Sequence, residues 1–223
     1  IPKWKSGLIT GNVDNINHYI GEVYFLRAYN YFNKLVALGD FPIIKTTLPD
    51  NHKALIDASK RMPRTEVARF IISDLDSAIM LMKNVSPDGR KNRLSSLSAQ
   101  LFKSRVSLFE GSWLKYFKGT EFVPNGPNWA GAQKDYNNSY TFPSGSIDGE
   151  IDYFLTQAME SAKVVASTIE LTENNMLKEI DMSYHDYAVA SAANPYLQMF
   201  SEVNLSPYSE VLFWRAFNVG LGV

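Results

Sequence analysis

The side chains that most often carry enzyme chemistry are poorly arranged for it in this sequence. The three histidines, His18, His52 and His185, are far apart and lack the spacing of a metal-binding motif such as H-E-x-x-H. Asp74 and Asp76 stand two positions apart on a predicted helix, so they face different directions and form no acid–base pair. We therefore expect no catalytic residue, no metal site and no cofactor in this chain.

A second group of carboxylates, Asp148, Glu150 and Asp152, falls at the start of a predicted helix. The group is too short for the calcium loop of an EF-hand and lacks its spaced ligands. Because the helix dipole favours negative charge at a helix N-terminus, a structural role explains these residues. The sequence also lacks the G-x-S-x-G elbow, the P-loop and the dinucleotide-binding glycine pattern. These observations argue against an enzyme.

The segment 119–149 is long, irregular and rich in Gly, Pro, Asn and aromatic residues. Loops of this length are usually functional or disordered, and the aromatic content argues against disorder. Trp and Tyr rings beside Asn, Asp and Lys suit stacking on sugar rings with hydrogen bonds to the sugar hydroxyls. We predict Trp129, Tyr136 and Tyr140 as ligand-stacking residues, with Trp4 as a weaker fourth. The alternative is that these rings only pack the loop onto the helices, as buried aromatic residues more often do.

Composition excludes several other classes of function. The net charge of −1 and the pI of about 6.4 give no basic surface for nucleic acid. The absence of cysteine excludes disulfides, thiolate metal sites and cysteine nucleophiles. No apolar run reaches the roughly 18 residues of a membrane-spanning helix, and no leader sequence is visible. We expect a mature or truncated part of a longer protein, with any membrane anchor outside this sequence.

Four helices are predicted to position the aromatic segment. Apolar residues recurring every three or four positions predict helices over about 16–38, 63–82, 95–113 and 150–167. A serine at position 95, 96 or 98 is the expected N-cap of the third helix, and Gly111 is expected to interrupt that helix near Trp113. Short strands are predicted only at 41–47 and 211–214. The second and third helices should form an antiparallel pair. The first helix could pair with an element upstream of this sequence, and the fourth with the segment 184–200.

The predicted fold is therefore mainly all-α, with tetratricopeptide-like helix hairpins and long irregular loops at 45–60 and 119–149. No self-similarity at the ~34-residue period of such repeats is visible. The first helix is so apolar that it should be nearly surrounded by protein. Its Arg27 then needs an acceptor, and we predict a structural ion pair for it, not a ligand contact.

Five segments in order resemble the landmarks of the SusD/RagB family. The first runs from 22–29 to Gly39-Asp40-Phe41-Pro42, and the second comprises 61–67 and 70–78. The third comprises 93–95 and 99–113, which ends in Gly111-Ser112-Trp113. The fourth is 158–165, and the fifth comprises 195–200 and 209–213. The resemblance implies one helical domain over 1–223, truncated at both ends, from a protein about twice as long. It also implies a lipid-anchored, surface-exposed lipoprotein of the bacterial outer membrane.

The family resemblance further implies function. Such a protein binds glycan without catalysis and works beside a SusC-like, TonB-dependent transporter, meeting the membrane only through its lipid anchor. A peptide-binding RagB-like member and a tetratricopeptide-like scaffold for protein partners remain alternatives. A glycan-processing enzyme is a further rival, which would need opposed carboxylates in a cleft.

Overall fold

The computed structural model describes residues 2–171, 199–200 and 202–216. This part of the chain is mainly helical, which confirms the predicted fold class. Its elements are the helices α1 (Pro2–Lys5), α2 (Val13–Leu38), α3 (His52–Ala58), α4 (Arg64–Leu81), α5 (Ser96–Phe117) and α6 (Ile147–Ala166), and the two-residue strands β1 (Phe41–Pro42) and β2 (Arg61–Met62). Two short 3₁₀ helices, Ala130–Gln133 and Asp135–Asn137, lie in the aromatic segment. The segment 45–60, predicted to be irregular, contains α3.

The four long helices stack side by side, each antiparallel to the next. The end of α2 lies at the start of α4, where the Arg61 guanidinium donates to the carbonyl oxygen of Leu38 at 3.0 Å. The second and third predicted helices, α4 and α5, are antiparallel as expected. Among the described residues, α2 packs against α4, and α6 packs against α5. Most of the segment 184–200, the expected partner of α6, lies outside the described residues.

The turn after α2 explains why α2 pairs with α4. Gly39 has a φ of 68°, a backbone conformation that favours glycine, and its N–H donates to the carbonyl oxygen of Leu35 at 2.9 Å. Strands β1 and β2 then pair antiparallel, with Phe41 opposite Met62. This pairing returns the chain to the end of α2, so α4 runs back along it. The strand predicted at 211–214 does not form, and the Trp214 indole donates to the carbonyl oxygen of Arg90 instead.

Helix α5 continues through Gly111 to Phe117, so the predicted interruption is wrong. The missing side chain serves packing: a Cβ at Gly111 would lie 2.9 Å from Leu155 Cδ2 of α6. Ser95 is the N-cap, and it forms a capping box with Ser98. The absence of a side chain at Gly111 therefore allows α6 to approach α5 closely.

Helix α2 has one buried face and one exposed face. Phe25, Ala28 and Leu35 are buried in the core, whereas Val23 and Leu26 are about half exposed. The expectation that protein nearly surrounds this helix is therefore wrong for the described part of the chain. None of the described helices combines the length and the apolar character that crossing a bilayer requires.

Three arginines bind carboxylates on neighbouring helices, each through two nitrogens. The pairs are Arg27 with Asp74 between α2 and α4, Arg64 with Glu110 between α4 and α5, and Arg69 with Glu150 between α4 and α6. The predicted structural ion pair of Arg27 is thereby confirmed. Asp76 binds Lys103 at 2.7 Å, so Asp74 and Asp76 do face different directions. Glu150 is fully buried, so the carboxylates at the start of α6 are not all solvent-exposed.

Candidate functional site

A cleft of about 320 Å³ opens at the end of the stack where α2 and α5 end and α4 begins. This volume is at the lower end of the range for small-molecule sites. One wall comes from the end of α2 and the start of α4, and the other from the aromatic segment. The aromatic rings that line it are Trp113, Phe122, Trp129 and Tyr136, and the charged side chains are Asp40, Arg61, Arg64, Glu121 and Lys134.

Arg61 builds the helix wall of the cleft. The pairing of β1 with β2 puts Pro42 opposite Arg61. The Arg61 guanidinium then donates to the carbonyl oxygens of Asp40, at 2.8 Å, and Leu38, at 3.0 Å. Carbonyls at the end of a helix lack intrahelical partners, so this side chain satisfies the end of α2. Its exposed surface faces the cleft.

The Asp40 carboxylate joins the two walls. Its Oδ1 accepts a hydrogen bond from the Arg64 backbone N–H at 2.9 Å, and its Oδ2 accepts one from Trp129 Nε1–H at 2.9 Å. Burial raises the pKa of the Asp40 carboxyl above its ordinary value, while these two hydrogen bonds and the charge of Arg61 act in the opposite direction. Asp40 therefore caps α4 and anchors the aromatic segment at the same time.

The aromatic segment is packed tightly around Trp129. This side chain is only 5% exposed, and its ring lies on Gly131, where a Cβ would be 2.1 Å from Trp129 Cζ2. The buried Asn137 amide donates to the carbonyl oxygen of Gly131 at 3.2 Å. These contacts fix the backbone between Trp129 and Asn137, which includes Tyr136.

An arginine and an indole form the floor of the cleft. The Arg64 guanidinium lies 4.1 Å from the centre of the Trp113 ring and also binds the buried Glu110. Trp113 Nε1–H donates to the carbonyl oxygen of Phe122 at 3.1 Å. The end of α5 thus holds the beginning of the aromatic segment, as Asp40 holds its middle.

The structure brings two of the four predicted stacking residues to the cleft, Trp129 and Tyr136. Tyr136 is 38% exposed, and its hydroxyl accepts from the Arg61 backbone N–H at 3.3 Å. Tyr140 lies behind Trp129, its hydroxyl bonded to that of Thr65, and burial raises the pKa of its phenol. Trp4 lies in α1 and does not line the cleft. Tyr140 and most of the Trp129 ring therefore pack the aromatic segment onto the helices, which is the alternative to ligand stacking.

Several residues that line the cleft were not predicted as site residues, among them Phe122, Arg61 and Lys134. Phe122 is about half exposed and belongs to the aromatic segment, which was the signal that could have identified it. Arg61 and Lys134 carried no signal, because each is an ordinary basic residue until the fold brings it to the cleft.

Of the two histidines that the structure describes, His18 is bonded to the backbone and His52 is exposed. His18 is buried, and its Nδ1 accepts from the Lys83 backbone N–H at 3.0 Å. Its Nε2 bonds to the carbonyl oxygen of Leu94 at 3.1 Å, so the ring joins α2 to the loop between α4 and α5. His185 lies outside the described residues. Among the described residues, no three His, Asp or Glu side chains are grouped as metal ligands.

One curated protein whose name indicates a family matches part of this sequence. SusD-like protein P2 of Formosa agariphila is 31% identical over 123 residues, which cover 54% of this chain and 23% of that protein. This similarity to a SusD-like protein supports membership of the SusD/RagB family. It aligns with less than a quarter of this curated relative.

Two solved structures have a weaker similarity to this chain. A SusD-like protein from Bacteroides fragilis is 25% identical with a TM-score of 0.42, over 61% of this chain and 24% of that one. A second crystal structure is 23% identical with a TM-score of 0.41, over 72% of this chain and 25% of that one. No family model matches the sequence.

Proposed function

We propose that this protein binds glycan at the bacterial outer surface and passes it to a SusC-like, TonB-dependent transporter, without catalysing a reaction. The similarity to SusD-like protein P2 supports a role in glycan uptake. We further propose that a lipid anchor outside this sequence holds the protein at the outer membrane. Within the described residues, the cleft at the end of α2 is the proposed glycan site.

The exposed ring of Tyr136 at the cleft is the observation that carries the proposal. Phe122 presents a second exposed ring, and both can stack on the apolar face of a sugar. Arg61, Glu121 and Lys134 offer donors and acceptors for sugar hydroxyls. An apolar platform with a few placed polar groups is the usual composition of a small-molecule site.

The state of the cleft carboxylates favours binding over glycoside hydrolysis. Asp40 and Glu121 both line the cleft. Each oxygen of Asp40 already accepts a hydrogen bond from a protein N–H group, so this carboxylate is engaged in structure. A glycosidase needs two available carboxylates on opposite sides of the scissile bond.

Calorimetry on the intact protein with a panel of oligosaccharides tests the proposal. We expect Tyr136→Ala to weaken the binding of the preferred oligosaccharide about tenfold, equivalent to ~1.4 kcal/mol, because a stacking platform is lost. Tyr116→Ala is the matched control, since Tyr116 is an 80% exposed tyrosine on α5 outside the cleft. The control should bind as tightly as the wild-type protein.

Other outcomes of the same assay would contradict the proposal. Binding of peptides in place of glycans would support the RagB-like alternative, and binding of a folded protein alone would support a scaffold. Turnover of a labelled oligosaccharide would show an enzyme. Equal losses in Tyr136→Ala and Tyr116→Ala would remove the cleft as the site.

A further inference from the structure

We propose that Asp40 is a positioning residue for glycan binding, whose single carboxylate holds the helix wall and the aromatic wall of the cleft in the geometry that accepts the sugar. The inference rests on the proposed function of the cleft. It assigns to Asp40 a role in affinity that does not require contact with the ligand.

Asp40 joins the two walls, beside the bonds that Tyr136 and Asn137 of the aromatic segment make to the Arg61 backbone. Oδ1 binds the first turn of α4 through the Arg64 N–H, and Oδ2 binds the indole of Trp129, which lies 89 positions further along the chain. The Asp40 carbonyl oxygen accepts from the Arg61 guanidinium at 2.8 Å. One residue thus contacts the end of α2, the start of α4 and the aromatic segment.

The position requires two acceptors, which a carboxylate supplies and an amide does not. An asparagine would turn its NH₂ group toward either the Arg64 N–H or the Trp129 N–H, leaving two donors facing each other. Hydrogen bonds to an ionised acceptor are also stronger than neutral ones. The N–H groups of the first turn of α4 have no acceptor within the helix, so negative charge is favoured there.

The displacement of Trp129 would reach the ligand platform through the backbone. Trp129 packs on Gly131, and Asn137 binds the carbonyl oxygen of Gly131, so Trp129 and Asn137 contact the same backbone within the segment 129–137. Tyr136 lies within this segment and presents its ring to the cleft. Loss of the bond from Trp129 to Asp40 should therefore shift Tyr136.

The charged groups around Asp40 favour its ionised form. Arg61 and Arg64 lie closest, although Arg64 is also paired with Glu110, and Glu121 and Lys134 line the same cleft. Burial opposes them and raises the pKa of the Asp40 carboxyl above its usual range. Asp40 is therefore ionised above that raised pKa and becomes neutral as the pH falls through it, which changes the group that the Arg64 N–H and the Trp129 N–H face.

A double-mutant cycle on the intact protein tests the inference with the oligosaccharide identified by calorimetry. We expect Asp40→Asn and Trp129→Phe each to weaken binding about tenfold, and the double variant to bind no more weakly than either single one. Trp129→Phe keeps Asp40 and an aromatic ring, so it stands as a test even where Asp40→Asn does not fold. Asp50→Asn, an exposed aspartate outside the cleft, should bind like the wild type.

Tryptophan fluorescence without ligand supplies a second readout. The emission of Trp129, obtained by subtracting that of Trp129→Phe, should change with acid pH in the wild type and stay constant in Asp40→Asn. Glu121→Gln should leave the midpoint of this change in place, because the change follows the protonation of Asp40.

The results separate the inference from the proposed function. If the wild type binds glycan and Asp40→Asn binds equally well, or if the two substitutions are additive, the positioning role is wrong and the glycan site stands. If the wild type binds no glycan, the proposed function is wrong. In that case a Trp129 signal that depends on Asp40 would still establish the bond between the walls, and a signal independent of Asp40 would overturn it.

Discussion

The hydroxyl of Ser107 lies fully buried in α5 without a hydrogen-bond partner among the described residues. Ser104, one turn earlier, donates its hydroxyl to the carbonyl oxygen of Ala158 on α6 at 2.9 Å. A buried polar group without a partner lowers stability, whereas a paired one contributes to it. Two serines of one helix should therefore have opposite effects on the stability of the protein.

These two serines give a matched pair of substitutions. We expect Ser107→Ala to raise the free energy of unfolding by ~1 kcal/mol, because it removes a buried group that no acceptor satisfies. Ser104→Ala should lower that free energy by ~1 kcal/mol, because it leaves the Ala158 carbonyl without its donor. Urea denaturation at neutral pH measures both. Destabilisation by Ser107→Ala would show that its hydroxyl has a partner in solution.

At the scale of the elements, the spacing between α5 and α6 depends on Gly111. Glycine in the middle of a helix costs roughly 1 kcal/mol of helix propensity relative to alanine, which made an interruption of α5 the natural prediction. The close approach of Leu155 explains why glycine is kept. Packing between helices therefore outweighs local propensity at this position.

Gly111→Ala tests that balance. The new Cβ would lie 2.9 Å from Leu155 Cδ2 and 3.3 Å from the Leu155 backbone N, so overpacking should cost more than the gain in propensity. We expect a net loss of ~1–2 kcal/mol in the free energy of unfolding. In a Leu155→Ala background, where the side chain has been removed, the same substitution should cost clearly less. A stabilising Gly111→Ala in the wild-type background would refute the packing explanation.

At the scale of the whole molecule, α4 is the helix that forms ion pairs with the three other long helices. Its Asp74, Arg64 and Arg69 form ion pairs with α2, α5 and α6, in that order. Glu110 and Glu150, two of the partners, are fully buried. A buried carboxylate that loses its partner is strongly destabilising, whereas an exposed ion pair contributes little.

Arg69→Met shows the difference between these two kinds of ion pair. It removes the charge that pairs with buried Glu150, so we expect the free energy of unfolding to fall by ~3–5 kcal/mol. Adding Glu150→Gln should recover part of the loss, because the uncompensated charge disappears. Lys53→Met breaks the exposed pair with Asp57 and should cost less than ~1 kcal/mol. Similar losses in Arg69→Met and Lys53→Met would contradict this assignment.

The sequence predicted the helices well and their partners less well. Periodic apolar residues are a local signal, so α4 and α6 were placed within a few residues of their observed bounds. Which helix lies beside α2 depends on the turn at Gly39 and on the pairing of β1 with β2, which is a contact between distant residues. Exposure of the Val23 face of α2 was likewise invisible to a count of apolar residues.

The sequence indicated the segment that lines the cleft, but not which of its rings are accessible there. Aromatic composition alone identified the stretch that contains Trp129 and Tyr136. Asp40 binds the indole of Trp129, which is buried, whereas Tyr136 of the same segment stays accessible. No local pattern links residues that lie 89 positions apart. Local spacing likewise did not predict that Trp4 lies in α1.

The central place of α4 has a consequence for how the protein fluctuates. A helix tied to three neighbours exposes its backbone amides to solvent only when those neighbours separate, so its hydrogen exchange follows global unfolding. Helix α3 has no buried residue and can open by itself. The first turn of α4 also carries the Asp40 bond that joins the cleft walls. The cleft is thus attached to the slowest-opening part of the fold, and its shape should outlast the local openings of the surrounding loops.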